Sequence, residues 1–411
     1  MFAPLLGILV FLGIPWLLSE NRSRIAWRPV LTGLAVLFGL AWFFLDTSAG
    51  RYFQEKSGAG ITALLDCASQ GAASMFHVRL ISGDLMCTAL SILPSIIFIG
   101  ALTAVLYHLG ILQLVTRAFA LCLTRLLGTS GAESLIAAGS IFLCMVEAPL
   151  LVRPYLPKFS RSEIFCMMTV GMATIAGGVM VVYAGFLQQC GTSPGHLLIA
   201  SILSIFSAIV IAKIMLPETE KTPEEMEKRT PSDAELRPDA NLIDAACRGA
   251  GEGMTLSINV LAMLIAFAAL IAFVNLLFSF FGDVGAAPLT LQRIFGWAFA
   301  PVAWLLGIPA AECGYAGQLL GEKTVLNEFL AYLSMAQPEN AALLSARSRV
   351  ILSYALCGFA NFGSLAIMVG GLGSILPERR REIAELALRS LVSGTLAAFI
   401  TAALAAIFTP L

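Results

Sequence analysis

Apolar runs recur along the chain at about residues 2–18, 29–45, 91–112, 163–188, 195–216, 254–281, 349–375 and 384–409. Each approaches the ~20 residues a helix needs to cross a bilayer. No stretch repeats the strand-length alternation of an outer-membrane barrel. The pattern therefore predicts an all-α polytopic membrane protein. Two further runs, 131–152 and 291–320, are similarly apolar but interrupted. The first contains "CMVEAPLLVRPYLP" (144–157), where Glu147 follows six apolar residues and Pro149 comes two positions later. The second contains "LLGIPAAECGYAG" (305–317), with Pro309 three residues before Glu312. Each is followed by a helix dotted with glycine, hydroxyl or amide groups, "GMATIAGGVMVVYAG" (171–185) and "LCGFANFGSLAIMVGG" (356–371).

Irregular backbone at membrane depth is tolerated only where it lines a protein cavity, because lipid offers nothing to its freed N–H and C=O groups. Matching interruptions in two halves point to a binding site between inverted repeats. On this reading each proline breaks a helix and each carboxylate faces the cavity so formed. An isolated intramembrane acid is a functional candidate in its own right. Asn361 and Ser364, spaced i, i+3, share one helix face.

Composition and charge sharpen this picture. The chain is 58% hydrophobic and 12% charged, with mean hydropathy +0.86, against about 25% charged in soluble domains. Residues 217–240 hold eight acidic and four basic side chains and four prolines, so they predict a flexible linker. The expected organisation is 1–112 as N-terminal spans and an outer segment, 113–216 as a first repeat, 217–240 as linker and 241–411 as a second repeat. Residues 113–127, with Arg117 and Arg125 among apolar positions, predict an amphipathic helix lying in the interface. Arginine clusters at 22–28, 153–161 and 379–381 place those loops and the linker in the cytoplasm. Both termini are then outside, and the first run is a retained span rather than a signal peptide.

The net charge of −1 and the lack of a basic patch give no reason to expect nucleic acid. Nine scattered cysteines and three unclustered histidines give none to expect a metal centre or redox chemistry. No nucleophile–His pair accompanies the two glutamates, and no phosphate-cradling G-x-x-x-x-G-K-[ST] loop occurs, so neither an enzyme nor an ATP-driven pump is expected. A passive channel is the nearer alternative.

Several motifs, in order, resemble the concentrative nucleoside transporters. "GEKTVLNEFLAY" (321–332) is similar to that family's signature, with Leu330 where Val is usual. "ALCGFANFGSLAI" (355–367) resembles its seventh helix, "EAPLLVRPYLPK" its first re-entrant hairpin, and "ATIAGGV" (173–179) the helix that follows. The resemblance implies eight spans, two re-entrant hairpins, a homotrimer in the bacterial inner membrane, and nucleoside uptake driven by H+ or Na+, with no other cofactor. It implies that Glu312, Asn361 and Ser364 bind ribose hydroxyls, that Phe359 and Val179 line the site, and that Glu147 belongs to the base and coupling region. It also places a sodium site at Ser140, Leu143, Thr174 and Ile175.

The chain departs from the family at the first hairpin tip, where Met145 and Val146 replace polar side chains. An apolar wall cannot satisfy a base's donors and acceptors, so base preference should differ, or the substrate be a modified nucleoside or another polyol-bearing solute. Ser140 stands where sodium-coupled members carry Asn, and apolar surroundings favour an uncharged carboxyl. The sequence reading therefore leans to proton coupling through Glu147. One cation moved down 100 mV releases about 2.3 kcal/mol, which supports roughly 50-fold accumulation.

Overall fold

A computed structural model describes residues 2–76, 85–219, 239–280, 282–284 and 287–409. The linker expected at 217–240 lies almost wholly outside the described residues. The N-terminal part comprises α1 (Phe2–Leu17), α2 (Trp27–Asp46), α3 (Ser48–Phe76), α4 (Leu85–His108) and α5 (Ile111–Leu127). Next come α6 (Gly131–Gly139), α7 (Arg161–Ala173), α8 (Gly177–Gln189) and α9 (Gly195–Met215). The second half contains α10 (Leu242–Ser279), α11 (Leu291–Leu305), α12 (Cys313–Val325), α13 (Glu328–Ala336), α14 (Pro338–Ala341), α15 (Ala346–Ala355), α16 (Phe362–Ile375) and α17 (Arg380–Phe408). Among the described residues five segments are long and apolar enough to cross a membrane: Trp27–Asp46, Arg161–Gln189, Gly195–Met215, Leu242–Ser279 and Pro377–Phe408.

Helix α5 leaves the end of α4 at 76°. It buries Leu112, Thr116, Ala120, Leu123 and Leu127, which fall on one helical stripe. Helices α4 and α10 cross closely because Gly249 and Gly253 remove side chains from the contact. A Cβ on Gly249 would lie 2.4 Å from the Gly100 carbonyl oxygen. The long α10 otherwise presents Ile258, Ile265, Phe273 and Leu276 outward. By contrast, α9 and the C-terminal half of α17 are buried along nearly their whole length, forming the centre of the core.

The structure corrects three expectations. The runs 163–188 and 349–375 are not continuous helices. The first breaks at 174–176 between α7 and α8, and the second at 356–361 between α15 and α16. Nor does Pro149 end a helix: α6 already stops at Gly139, and Pro149 starts a 3-10 turn over Ala148–Val152. Lastly, the turn holding Glu312 joins the antiparallel pair α11 and α12, but a second fold-back follows it. Tyr315 Oη donates to the Ser334 carbonyl at 3.1 Å, so α12 and α13 double back with their turn at Leu326–Asn327. At 1.5 Å per residue, the nine residues of α13 extend only about 14 Å, well short of a bilayer.

Candidate functional site

The two helix breaks meet. The Phe359 N–H donates to the Thr174 carbonyl at 3.3 Å, joining the interruption of α15–α16 to that of α7–α8. Gly358 makes this crossing possible. Its φ is +137°, and a Cβ there would lie 2.8 Å from the Ala173 oxygen and 3.0 Å from that of Met172. Only glycine occupies such a backbone region without strain.

Two asparagines start the helices that leave this crossing. Asn361 caps α16, its Oδ1 accepting from the Ser364 N–H at 2.7 Å. Asn327 caps α13, its Oδ1 accepting from the Leu330 N–H at 2.8 Å. Asparagine suits both positions because its short carbonyl reaches the orphan N–H groups of a first turn. Glu328, the first residue of α13, joins the two starts. Its Oε2 accepts from Asn361 Nδ2 at 2.7 Å and its Oε1 from Tyr183 Oη of α8 at 2.6 Å. Tyr183 in turn stacks on Tyr332, with ring centroids 4.8 Å apart. Lys323, fully buried in α12, donates to the Ala355 carbonyl at 3.1 Å and so satisfies an orphan acceptor at the end of α15.

Of the residues singled out in the sequence, Asn361 and Ser364 lie at this junction, both buried. Val179 sits one turn before Tyr183, on the same face of α8, and is buried, while Phe359 is half-buried within the break itself. Glu312 is elsewhere. Its Oε2 accepts from the Ser345 N–H at 3.1 Å and Oγ at 3.2 Å, at the N-terminus of α15. The ten residues of α15 separate that end from the break by about 15 Å. The carboxylate that pairs with Asn361 is Glu328, which the sequence reading quoted within "LNEF" but gave no role. The sequence shows only an acid after a helix-capping asparagine, which does not distinguish Glu328 from the first turn of any capped helix. Glu312→Gln should accordingly change uptake by less than about threefold, within the range of a surface-type hydrogen bond, when initial rates are compared in membranes.

The first hairpin is arranged differently from the sequence expectation. Glu147 is exposed rather than enclosed by apolar groups, and its Oε2 accepts from the Cys144 N–H at 3.0 Å. Met145 and Val146 do not form a wall facing open space. Met145 packs over Gly171 of α7, whose added Cβ would meet the Met145 Cβ at 2.8 Å. Val146 packs over Gly371 of α16, where both its methyl groups lie 2.7 Å from an added Cβ. These two side chains therefore key the hairpin tip into glycine hollows on both broken helices.

The remaining candidates lie in the turn after α6 and in the first helix break. The Gly177 N–H at the start of α8 donates to the Phe142 carbonyl at 3.2 Å, holding the turn after α6 against the first break. Ser140 Oγ donates to the Ile136 carbonyl and Thr174 Oγ1 to the Val170 carbonyl, each at 2.9 Å. Having committed their protons to their own helices, both hydroxyls offer only lone pairs to a further ligand. Ser140, Thr174 and Ile175 are buried and Leu143 is half-buried. Lone pairs of this kind suit a hard cation.

Comparison with known proteins agrees with this architecture. The model of the Na+ dependent nucleoside transporter C-terminus matches residues 196–406, that of the N-terminus residues 6–78, and a nucleoside recognition "Gate" model residues 89–190. The chain belongs to the concentrative nucleoside transporter family. It is 42% identical over 408 residues to an uncharacterized transporter of Bacillus subtilis, covering 98% of each chain. Mouse sodium/nucleoside cotransporter 1 is 36% identical over 98% of this chain and 63% of its own length. The solved structure of CNTnw in an inward-facing substrate-bound state superposes with a TM-score of 0.90 at 37% identity, covering 99% of this chain and 97% of that one. The family is one of transporters, not enzymes.

Proposed function

We propose that this protein is a sodium-coupled nucleoside symporter of the bacterial inner membrane, working as a homotrimer with one substrate path per chain. The observation that carries the substrate reading is the Asn361–Glu328–Tyr183 hydrogen-bonded chain where the two broken helices meet. A carboxylate oxygen has lone pairs left after one acceptance. Glu328 can thus accept from a sugar hydroxyl while Ser364 Oγ and the Asn361 amide serve its neighbour. The ribose takes this polar corner, and the base lies along Val179 and Phe359. Because Met145 and Val146 are spent on packing, they contribute no polar readout of the base edge. The short pairs α6 with its 3-10 turns, and α12 with α13, act as the re-entrant hairpins. The exposed apolar face of α10 is the surface given to partner chains and lipid.

Sodium is favoured over a proton because the Ser140 and Thr174 hydroxyls, each donating to its own helix, keep lone pairs for a cation. The exposed position of Glu147 removes the apolar enclosure on which the proton reading rested. The test is gradient-driven uptake of a nucleoside panel in proteoliposomes, with sodium and pH varied independently. Sodium-dependent accumulation at constant pH supports the proposal, and equilibration without accumulation would identify a channel instead. Thr174→Ala removes one of the hydroxyl ligands. It should raise the sodium concentration for half-maximal uptake by roughly 10-fold, the equivalent of about 1.4 kcal/mol, while leaving the order of preference among nucleosides unchanged.

A further inference from the structure

Ser130 and Ser160 cap α6 and α7, and the glutamate three residues on from each lines one partly open cavity. The cavity measures about 160 Å³ and is lined by Thr129, Ser130, Glu133, Glu163, Lys213 and Glu218, with apolar residues of α2 and α9 closing it. Glu133 and Glu163 are 2% and 1% exposed. Lys213 Nζ lies 2.8 Å from Glu133 Oε1 and 3.8 Å from Glu218 Oε2, and donates to Ser162 Oγ at 3.2 Å. Glu163 Oε2 accepts from the Ser160 N–H at 2.9 Å, which completes its capping box. Its Oε1 is buried and has no hydrogen-bond partner among the described residues.

Among the described residues the Lys213 ammonium faces both Glu133 and Glu218, and Ser160 Oγ donates to Glu218 Oε2 at 2.7 Å. A buried anionic oxygen left without hydrogen bond or counter-charge is costly. We propose that this cavity is a second cation site, taking one monovalent metal ion of the sodium type between Glu163 Oε1, Glu218 and the hydroxyls of Thr129 and Ser130. The space accommodates an ion with part of its water shell. Its location gives it a role. Ala26 of its lining lies within the arginine-bearing loop 22–28 and Pro29 directly follows it, and Glu218 is at the start of the charged segment 217–240, so the cavity lies at the end of the molecule assigned to the cytoplasm. Helix α6 runs from this cavity to Ser140, nine residues or about 14 Å. Sodium released from the proposed coupling site toward the cytoplasm would meet a negative station one helix length away. This role rests on the sodium reading above, whereas the site itself does not.

The experiment is equilibrium binding of radioactive sodium to the purified full-length protein, per chain, with melting temperature as the check on folding. Glutamine at 163 still accepts the Ser160 N–H, so Glu163→Gln keeps the capping box while removing the charge. Two sodium ions per chain in the native protein at saturating sodium, falling to one in Glu163→Gln, with one of the two bound roughly 10-fold more weakly in Thr174→Ala, is the expected result. One ion in the native protein that is lost in Glu163→Gln but retained in Thr174→Ala would uphold this site and overturn the coupling site. Bound sodium unchanged by Glu163→Gln, in a variant that melts with the native protein, would overturn the second site and mean that a proton neutralises Glu163. Should Glu163→Gln melt early, Thr129→Val and Ser130→Gly together test the same ion through its neutral ligands, and unchanged binding in that pair would equally overturn it.

Discussion

Glu328→Gln should lower ribonucleoside uptake at least about 100-fold with the protein still in the membrane at normal levels. Glu328 accepts from Tyr183 on one oxygen and Asn361 on the other. A glutamine has one acceptor oxygen and one NH2 group, so one of those donors would face another donor in a buried site. Hydrogen bonds to a charged group contribute about 1.5–3 kcal/mol each. Losing one to the sugar and disordering one to Asn361 gives about 3–6 kcal/mol, which is roughly two to four orders of magnitude at about 1.4 kcal/mol per tenfold. The loss should be smaller for a substrate lacking the hydroxyl that Glu328 receives. Comparing a ribonucleoside with its 2′- and 3′-deoxy forms in native and variant proteoliposomes identifies that hydroxyl. Equal losses for all three would mean that Glu328 only supports the fold.

Gly358→Ala should be the most damaging of the backbone substitutions. At φ +137° an L side chain is strained, and the added methyl overlaps the Ala173 and Met172 carbonyls at 2.8 and 3.0 Å. Left-handed strain costs about 1–2 kcal/mol and overpacking about 1–3 kcal/mol. To relieve both, the two breaks must move apart and the Phe359 N–H must leave the Thr174 carbonyl. The expected outcome is a melting temperature lower by several degrees and uptake below a tenth of native, read by thermal unfolding in detergent and by transport. A Gly251→Ala control on α10, where an added Cβ meets nothing within 4 Å, should change neither.

The apolar runs were readable because a bilayer demands long stretches of one character, and they placed α1, α2, α4, α9, α10 and α17 well. The breaks at 174–176 and 356–361 were not. The residues there, Thr174, Ile175 and Ala176 or Leu356 and Cys357, are as apolar as a span and carry no proline. What ends those helices is tertiary: each break is held by the other through the Phe359–Thr174 bond. The short polar side chains of Ser130, Ser160, Asn327 and Asn361 mark helix starts that the apolar runs alone did not locate. Glu312 drew attention because a proline precedes it in an apolar run, but its partner is Ser345, at the far end of α15. Glu328 drew none because its neighbours Asn327 and Phe329 suggest an ordinary capped helix. Its meaning depends on Asn361 arriving from 33 positions away, which no local pattern records. Likewise Met145 and Val146 read as a lost polar surface until Gly171 and Gly371 show what they fit.

The substrate contact is best tested by determining the structure of the protein with a bound ribonucleoside in sodium. The ribose hydroxyls should lie within about 3.2 Å of a Glu328 carboxylate oxygen and of Asn361, with the base beside Val179 and Phe359. A sugar found against Glu312 and Ser345, or anywhere away from the crossing of the two broken helices, would contradict the account.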